Sequence, residues 1–172
     1  GVQLFARFTR PRSVCRPPDL GARRLRLAVL LPTDERARKR GGRSGGVLVA
    51  ETTRALRVLE THHAPSYYVP PDDIHASLRT AQGSSFCEWK GVARYFDVIA
   101  GGKSSLRAAW TYDRPTARFA ALAGHLAFYA GLMDEAWVGD LRVIPQPGDF
   151  YGGWVTPNLD GQIKGAPGTR HW

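Results

Sequence analysis

Half of the positive charge of this chain sits in roughly its first quarter, and that segregation limits where a core can form. Residues 1–45 hold 12 of the 24 Lys and Arg but 3 of the 15 Asp and Glu, a net of 12 − 3 = +9. The remaining 127 residues carry 12 side chains of each sign and sum to zero. A segment of that composition, broken by Pro11, Pro17, Pro18 and Pro32 and followed by Gly41, Gly42, Gly45 and Gly46, buries too little apolar surface to offset its chain entropy. The pI near 10.2 therefore belongs to an arm. A neutral domain must follow it, and 172 residues leave room for one domain plus extensions.

Arginine exceeds lysine eleven to one in this arm, and guanidinium is the better bidentate partner for phosphate and carboxylate. Arg7, Arg10, Arg12, Arg16, Arg23, Arg24 and Arg26 are expected to contact a partner. Acidic surfaces of other protein subunits, anionic lipid headgroups and rRNA all fit that chemistry. Only Phe5 and Phe8 are available for base stacking, so neither sequence-specific RNA recognition nor DNA readout is indicated. The arm also has the composition of an organellar transit peptide, which points to a mitochondrial location, with the chloroplast as the alternative. The apolar run over residues 25–31 ends at Pro32 and reads as a buried strand or a docking segment. No stretch reaches the ~20 apolar residues of a spanning helix. The nearest, residues 119–133, contains Gly124, His125 and Gly131 and reads as core.

From residue 46 the pattern changes to short alternating runs. Residues 47–51 and 55–60 read as strands. Pro70, Pro71, Asp72 and Asp73 carry the signals of a helix start, which predicts about two turns to Arg79. Residues 85–100 read as two strands meeting at Gly91, with Gly101-Gly102-Lys103 as a hairpin turn and a return strand ending at Tyr112. A second helix is expected from Pro115 to about Gly124, and residues 125–129 and 136–142 as the last strands. The domain, residues 46–145, is thus mainly β with two short helices.

The ordered motifs Tyr68-x-Pro70, Cys87-x-Trp89-Lys90-Gly91-x-Ala93-x-Tyr95, Ala108-Ala109-Trp110-x-Tyr112-x-x-Pro115 and Gly124-x-x-Ala127-Phe128-Tyr129 resemble domain-of-unknown-function family 427. The resemblance covers residues 47–140, and the segments 150–156 and 164–172 resemble an extension of some members. It implies a small β-tent or barrel-like domain with a central pocket, flanked here by extended N- and C-terminal arms. It implies no secure activity, since the family carries only a loose nucleotidyltransferase label.

The residues themselves do not support nucleotidyl transfer. Asp72 and Asp73 are adjacent, so on a helix they point apart rather than toward one magnesium ion, and no phosphate-cradling glycine motif is present. His62 and His63 would face opposite sides of a strand, so at most one could join His75. No metal site and no cofactor are expected. Cys15 and Cys87 are too isolated for a metal knuckle or a disulfide framework.

The constellation with the best internal logic is Cys87, Trp89, Lys90, Tyr95, Trp110 and Tyr112. Regular alternation would put Cys87 and Trp89 on one strand face, and Trp110 and Tyr112 on one face of their own strand. These residues suit an aromatic pocket with one lysine for a planar or anionic small ligand. They equally suit an aromatic core with Lys90 reaching a rim. Cys87 and Lys90 are weak catalytic candidates. The Gly/Pro-rich tail, residues 146–172, cannot build a core of its own; its aromatic residues suggest that it wraps this domain or lies on a neighbour, and Trp154 and Trp172 are expected among the partner contacts. The favoured reading is a non-catalytic accessory subunit of a large mitochondrial assembly, such as a respiratory or ATP synthase complex, docked through its extensions. The alternatives are a small-ligand-binding enzyme using the pocket at Lys90, and a mitochondrial ribosomal protein whose arm contacts rRNA.

Overall fold

A computed structural model describes the backbone at residues 3–5 and 27–31, and residues 46–148 and 150–169 in full. Arg7 to Arg26 of the predicted partner set, and Trp172, lie outside the described residues.

The strands are β1 (Gln3–Phe5), β2 (Leu27–Leu31), β3 (Val47–Thr52), β4 (Leu56–Leu59), β5 (Ser66–Tyr68), β6 (Ser77–Cys87) and β7 (Gly91–Ala100). They continue as β8 (Lys103–Tyr112), β9 (Leu126–Phe128), β10 (Glu135–Val138), β11 (Leu141–Arg142), β12 (Ile144–Pro145) and β13 (Trp154–Val155). The largest sheet is antiparallel in the order β6-β7-β8-β9, and a second has the order β11-β10-β2-β3. Smaller sheets pair β1-β4-β5 and β12-β13. The protein is mainly β, and its sheets do not close into a barrel. No helix among the described residues is long and apolar enough to cross a membrane.

Local sequence explains the hairpins. Ala100 pairs with Lys103, so Gly101 and Gly102 form a two-residue loop, and both have positive φ, as the twist-compatible tight turn requires. The helical expectations are corrected. Pro71–Asp73 is a single 3-10 turn, and Ile74 is already extended. Residues 77–87, whose first part was expected to finish that helix, instead form β6, where Leu78 sits opposite Val98 and Phe86 opposite Val92. Helix nucleation is costly, and here the long partner strand β7 offers backbone pairing that a two-turn helix cannot match. The second expected helix is also a 3-10 segment, Ala117–Leu122, kinked at Phe119.

Part of the basic segment belongs to the domain. The apolar run at Leu27–Leu31 is a strand inserted between β10 and β3. The tail joins it as well. Trp154, expected as a partner contact, is 1% exposed, packs on Tyr67 and donates its indole N–H to the Phe128 carbonyl at 2.8 Å. An indole so placed is core, and no surface of it remains for another chain.

Alternation along the strands divides the interior in two. Tyr67 joins one buried cluster with Val49, Phe96, Val98, Phe128 and Trp154. Its neighbour Tyr68 points to the opposite face and joins Leu56, Val58, Tyr95, Trp110 and Tyr112. The second cluster borders the cavity described next.

Candidate functional site

On one face of the β6–β9 sheet, Tyr95 sits directly opposite Trp110, and Ala93 opposite both Ser85 and Tyr112. Small residues alternate there with large rings, so the rings cannot fill the face. A cavity of about 640 Å³ results. Trp89, Lys90, Tyr95, Trp110 and Tyr112 all line it, as does Cys87. The chain thus brings together every residue of the predicted pocket. Cys87 and Trp89 were expected to share a strand face; Trp89 instead lies in the turn between β6 and β7, where strand alternation no longer applies.

That turn is held from outside. Thr116 donates to it twice, through its hydroxyl to the Trp89 carbonyl (2.5 Å) and through its N–H to the Lys90 carbonyl (3.2 Å). Gly91 has φ +101, and a side chain on it would press against the Arg114 carbonyl. With the backbone so fixed, Lys90 turns inward. The residue is 5% exposed, its ammonium is 2.6 Å from a Glu60 carboxylate oxygen, and it lies 5.9 Å from the centroid of the Phe119 ring.

The aromatic walls are in mutual contact. Trp110 and Tyr129 have ring centroids 4.5 Å apart, and Tyr68 meets Trp110 edge-on at 6.2 Å. The Tyr95 hydroxyl is 2.7 Å from the Ser85 hydroxyl. Burial pushes the Tyr68 and Tyr112 hydroxyls up, and Tyr129 likewise, so all three are protonated at neutral pH and able to donate a hydrogen bond.

Gln146 organises the side formed by the tail. Its Oε1 accepts the Ala64 N–H at 3.2 Å, and its Nε2 donates to the Lys164 carbonyl at 3.0 Å, which fixes the orientation of the amide. The same Nε2 lies 3.1 Å from His63 Nδ1. An amide nitrogen only donates, so Nδ1 accepts and the His63 proton resides on Nε2. Burial pulls the His63 pKa down from 6.5; Lys164 and Lys90 add to this, and Glu60 opposes it. Tyr151 stacks edge-on against His63, and the Gly152 backbone lies so close to the Trp110 ring that no side chain fits there. The tail therefore supplies one wall of the cavity.

Residues 33–139 match the family described as domain of unknown function DUF427. The chain belongs to this family. No curated protein matches it. The match begins before residue 46, the start expected for the domain, and ends before the tail. The part of the cavity wall built by Gln146 and by residues 150–153 is therefore an addition to the matched DUF427 region in this chain.

Several lining residues escaped the sequence reading. Glu60 and His63 follow β4 in a turn with no local signature, and their relation to Lys90 is purely tertiary. Tyr68 and Tyr129 do stand in the DUF427 motifs, where aromatic character alone could have flagged them. Gln146 carries no signal. Asp73 is engaged elsewhere, by Arg54 and Thr52, which hold its carboxyl below the usual range. Among the described residues, no three His, Cys, Asp or Glu side chains gather as a metal site would require.

Proposed function

We propose that the DUF427 domain of this chain is a small-molecule-binding module whose cavity takes a single aromatic ring system. The observation that carries this reading is the convergence of Trp89, Lys90, Tyr95, Trp110 and Tyr112 on one cavity of about 640 Å³, within the size range of small-ligand sites. Ring faces supply stacking surface at low entropic cost, and the protonated tyrosines supply directional donors. Lys90 is neutralised by Glu60, so it acts as a fixed polar element of the wall rather than as a free amine nucleophile. The accessory-subunit reading rests on arginines outside the described residues, and the tail that was to share that role lies on its own domain.

The test is a titration of the full chain with naphthalene sulfonamide, a neutral planar probe, followed by tryptophan emission. Saturable quenching at one equivalent is expected, and Trp110→Leu should weaken it by about tenfold or more, as loss of a stacking anchor does. Absence of saturable binding, or equal binding by the variant, would refute the reading.

A further inference from the structure

A second cavity of about 630 Å³ opens beside the first and shares Ser85, Tyr95, Tyr129 and Tyr151 with it. Among the described residues that line it, Arg107 is the one charged side chain. Its backbone is unusual. Arg107 has φ +49, in the left-handed region that disfavours any residue with a Cβ, where glycine would sit without strain. Irregularities of the β6–β7 and β7–β8 pairings meet at this point. The β7–β8 register shifts between Phe96 and Val98, and the β6–β7 register shifts between Thr80 and Ser84.

These two bulges build a seat for the guanidinium. Asp97 accepts the Arg107 N–H on Oδ1 at 2.9 Å, while its Oδ2 is occupied by Arg79. The Arg107 guanidinium then lies over Tyr95, with its Cζ 4.2 Å from the centroid of the ring, and one N–H donates to the Gln82 carbonyl. Gly83 opposite has φ +84, and a side chain there would come within 3.0 Å of the guanidinium. Bulges re-aim side chains beside functional sites, and strained backbone persists where the placement of a side chain is used.

We infer that Arg107 is an anion-binding subsite continuous with the aromatic cavity, and that the ligand is an aromatic ring bearing a carboxylate, sulfonate or phosphate group. This rests on the ring-binding reading of the first cavity. Tyr95 is the shared wall: it lines both cavities, and the Arg107 guanidinium lies over its ring. Guanidinium pairs with such oxyanions through paired N–H donors, and the charge of Lys90 in the first cavity is already matched by Glu60.

Two probes of one shape separate this inference from the reading on which it rests. Naphthalene sulfonate and naphthalene sulfonamide differ by one negative charge. The wild-type chain should bind the sulfonate about tenfold more tightly, a preference that salt weakens. Arg107→Gln should remove the preference, weakening the sulfonate far more than the sulfonamide, and Arg107→Lys should restore part of it. Arg107→Gly relieves the backbone and should be at least as stable as wild type, yet lack the preference, which separates charge from folding. If the sulfonamide binds but the preference is absent, survives Arg107→Gly, or disappears with Lys164→Gln instead, the subsite is refuted while the cavity reading stands. If neither probe binds, both fall.

Discussion

The ammonium of Lys90 lies 2.6 Å from a carboxylate oxygen of Glu60, joining the β6–β7 turn to the turn that follows β4. The lysine side chain is almost wholly buried, and the glutamate is one-quarter exposed. Loss of either partner leaves the other's charge poorly solvated. Lys90→Met or Glu60→Gln alone should destabilise the fold by about 3 kcal/mol, and the double variant should recover most of that. Chemical denaturation of the three proteins measures the coupling.

His63 provides a stability switch near neutrality. Its folded pKa is depressed, so the unfolded chain binds the proton more strongly. The neutral imidazole contributes stability that is fully present above 6.5, its ordinary pKa, and is lost as the pH falls toward the folded value. The thermal midpoint of the wild type should therefore drop between about pH 7 and pH 5, and His63→Gln should flatten that part of the profile.

The tyrosines work at the other end of the scale. Burial raises the folded pKa of Tyr68 and Tyr112, so the folded chain holds these protons more tightly than the unfolded chain does. Stability is fully present below about pH 10, the ordinary tyrosine value, and falls as the pH rises past it. Tyr112→Phe should make the alkaline limb shallower. The part of the ultraviolet ionisation signal that Tyr112→Phe removes should appear only together with unfolding.

The tail can be tested as part of the core. Trp154→Ala removes a buried indole and its hydrogen bond to Phe128, and should cost about 3–5 kcal/mol. At Gly153 a methyl group would collide with Gln146 Oε1 and the Ala64 carbonyl, so Gly153→Ala should cost about 1–3 kcal/mol through overpacking. A tail that merely lay on the surface would show neither loss in a denaturant melt.

Much of this architecture was legible from local chemistry. Gly101 and Gly102 announced their hairpin, the alternation around Trp110 and Tyr112 placed both on one face, and the aromatic residues grouped with Lys90 all line one cavity. What failed was non-local. The proline and aspartates at residues 70–73 are sound helix-start signals, but pairing with β7 overrode them immediately afterwards. Trp154 looked like an anchor for another chain because no local pattern tells an aromatic side chain that covers its own core from one that covers a partner's. Glu60, His63, Gln146 and Arg107 reach their places through contacts distant in sequence, and the β7–β8 irregularity at Arg107 itself carries no glycine to mark it.

The central claim is that a ring binds between Trp110, Tyr95 and the tail. The most direct measurement is a backbone amide NMR map of the chain titrated with naphthalene sulfonamide. The account predicts saturable shifts concentrated at Trp89, Tyr95, Trp110, Tyr112, Gly152 and Gly153, with the outer strands β10 and β11 unmoved. Shifts centred on those outer strands, or scattered without saturation, would contradict it.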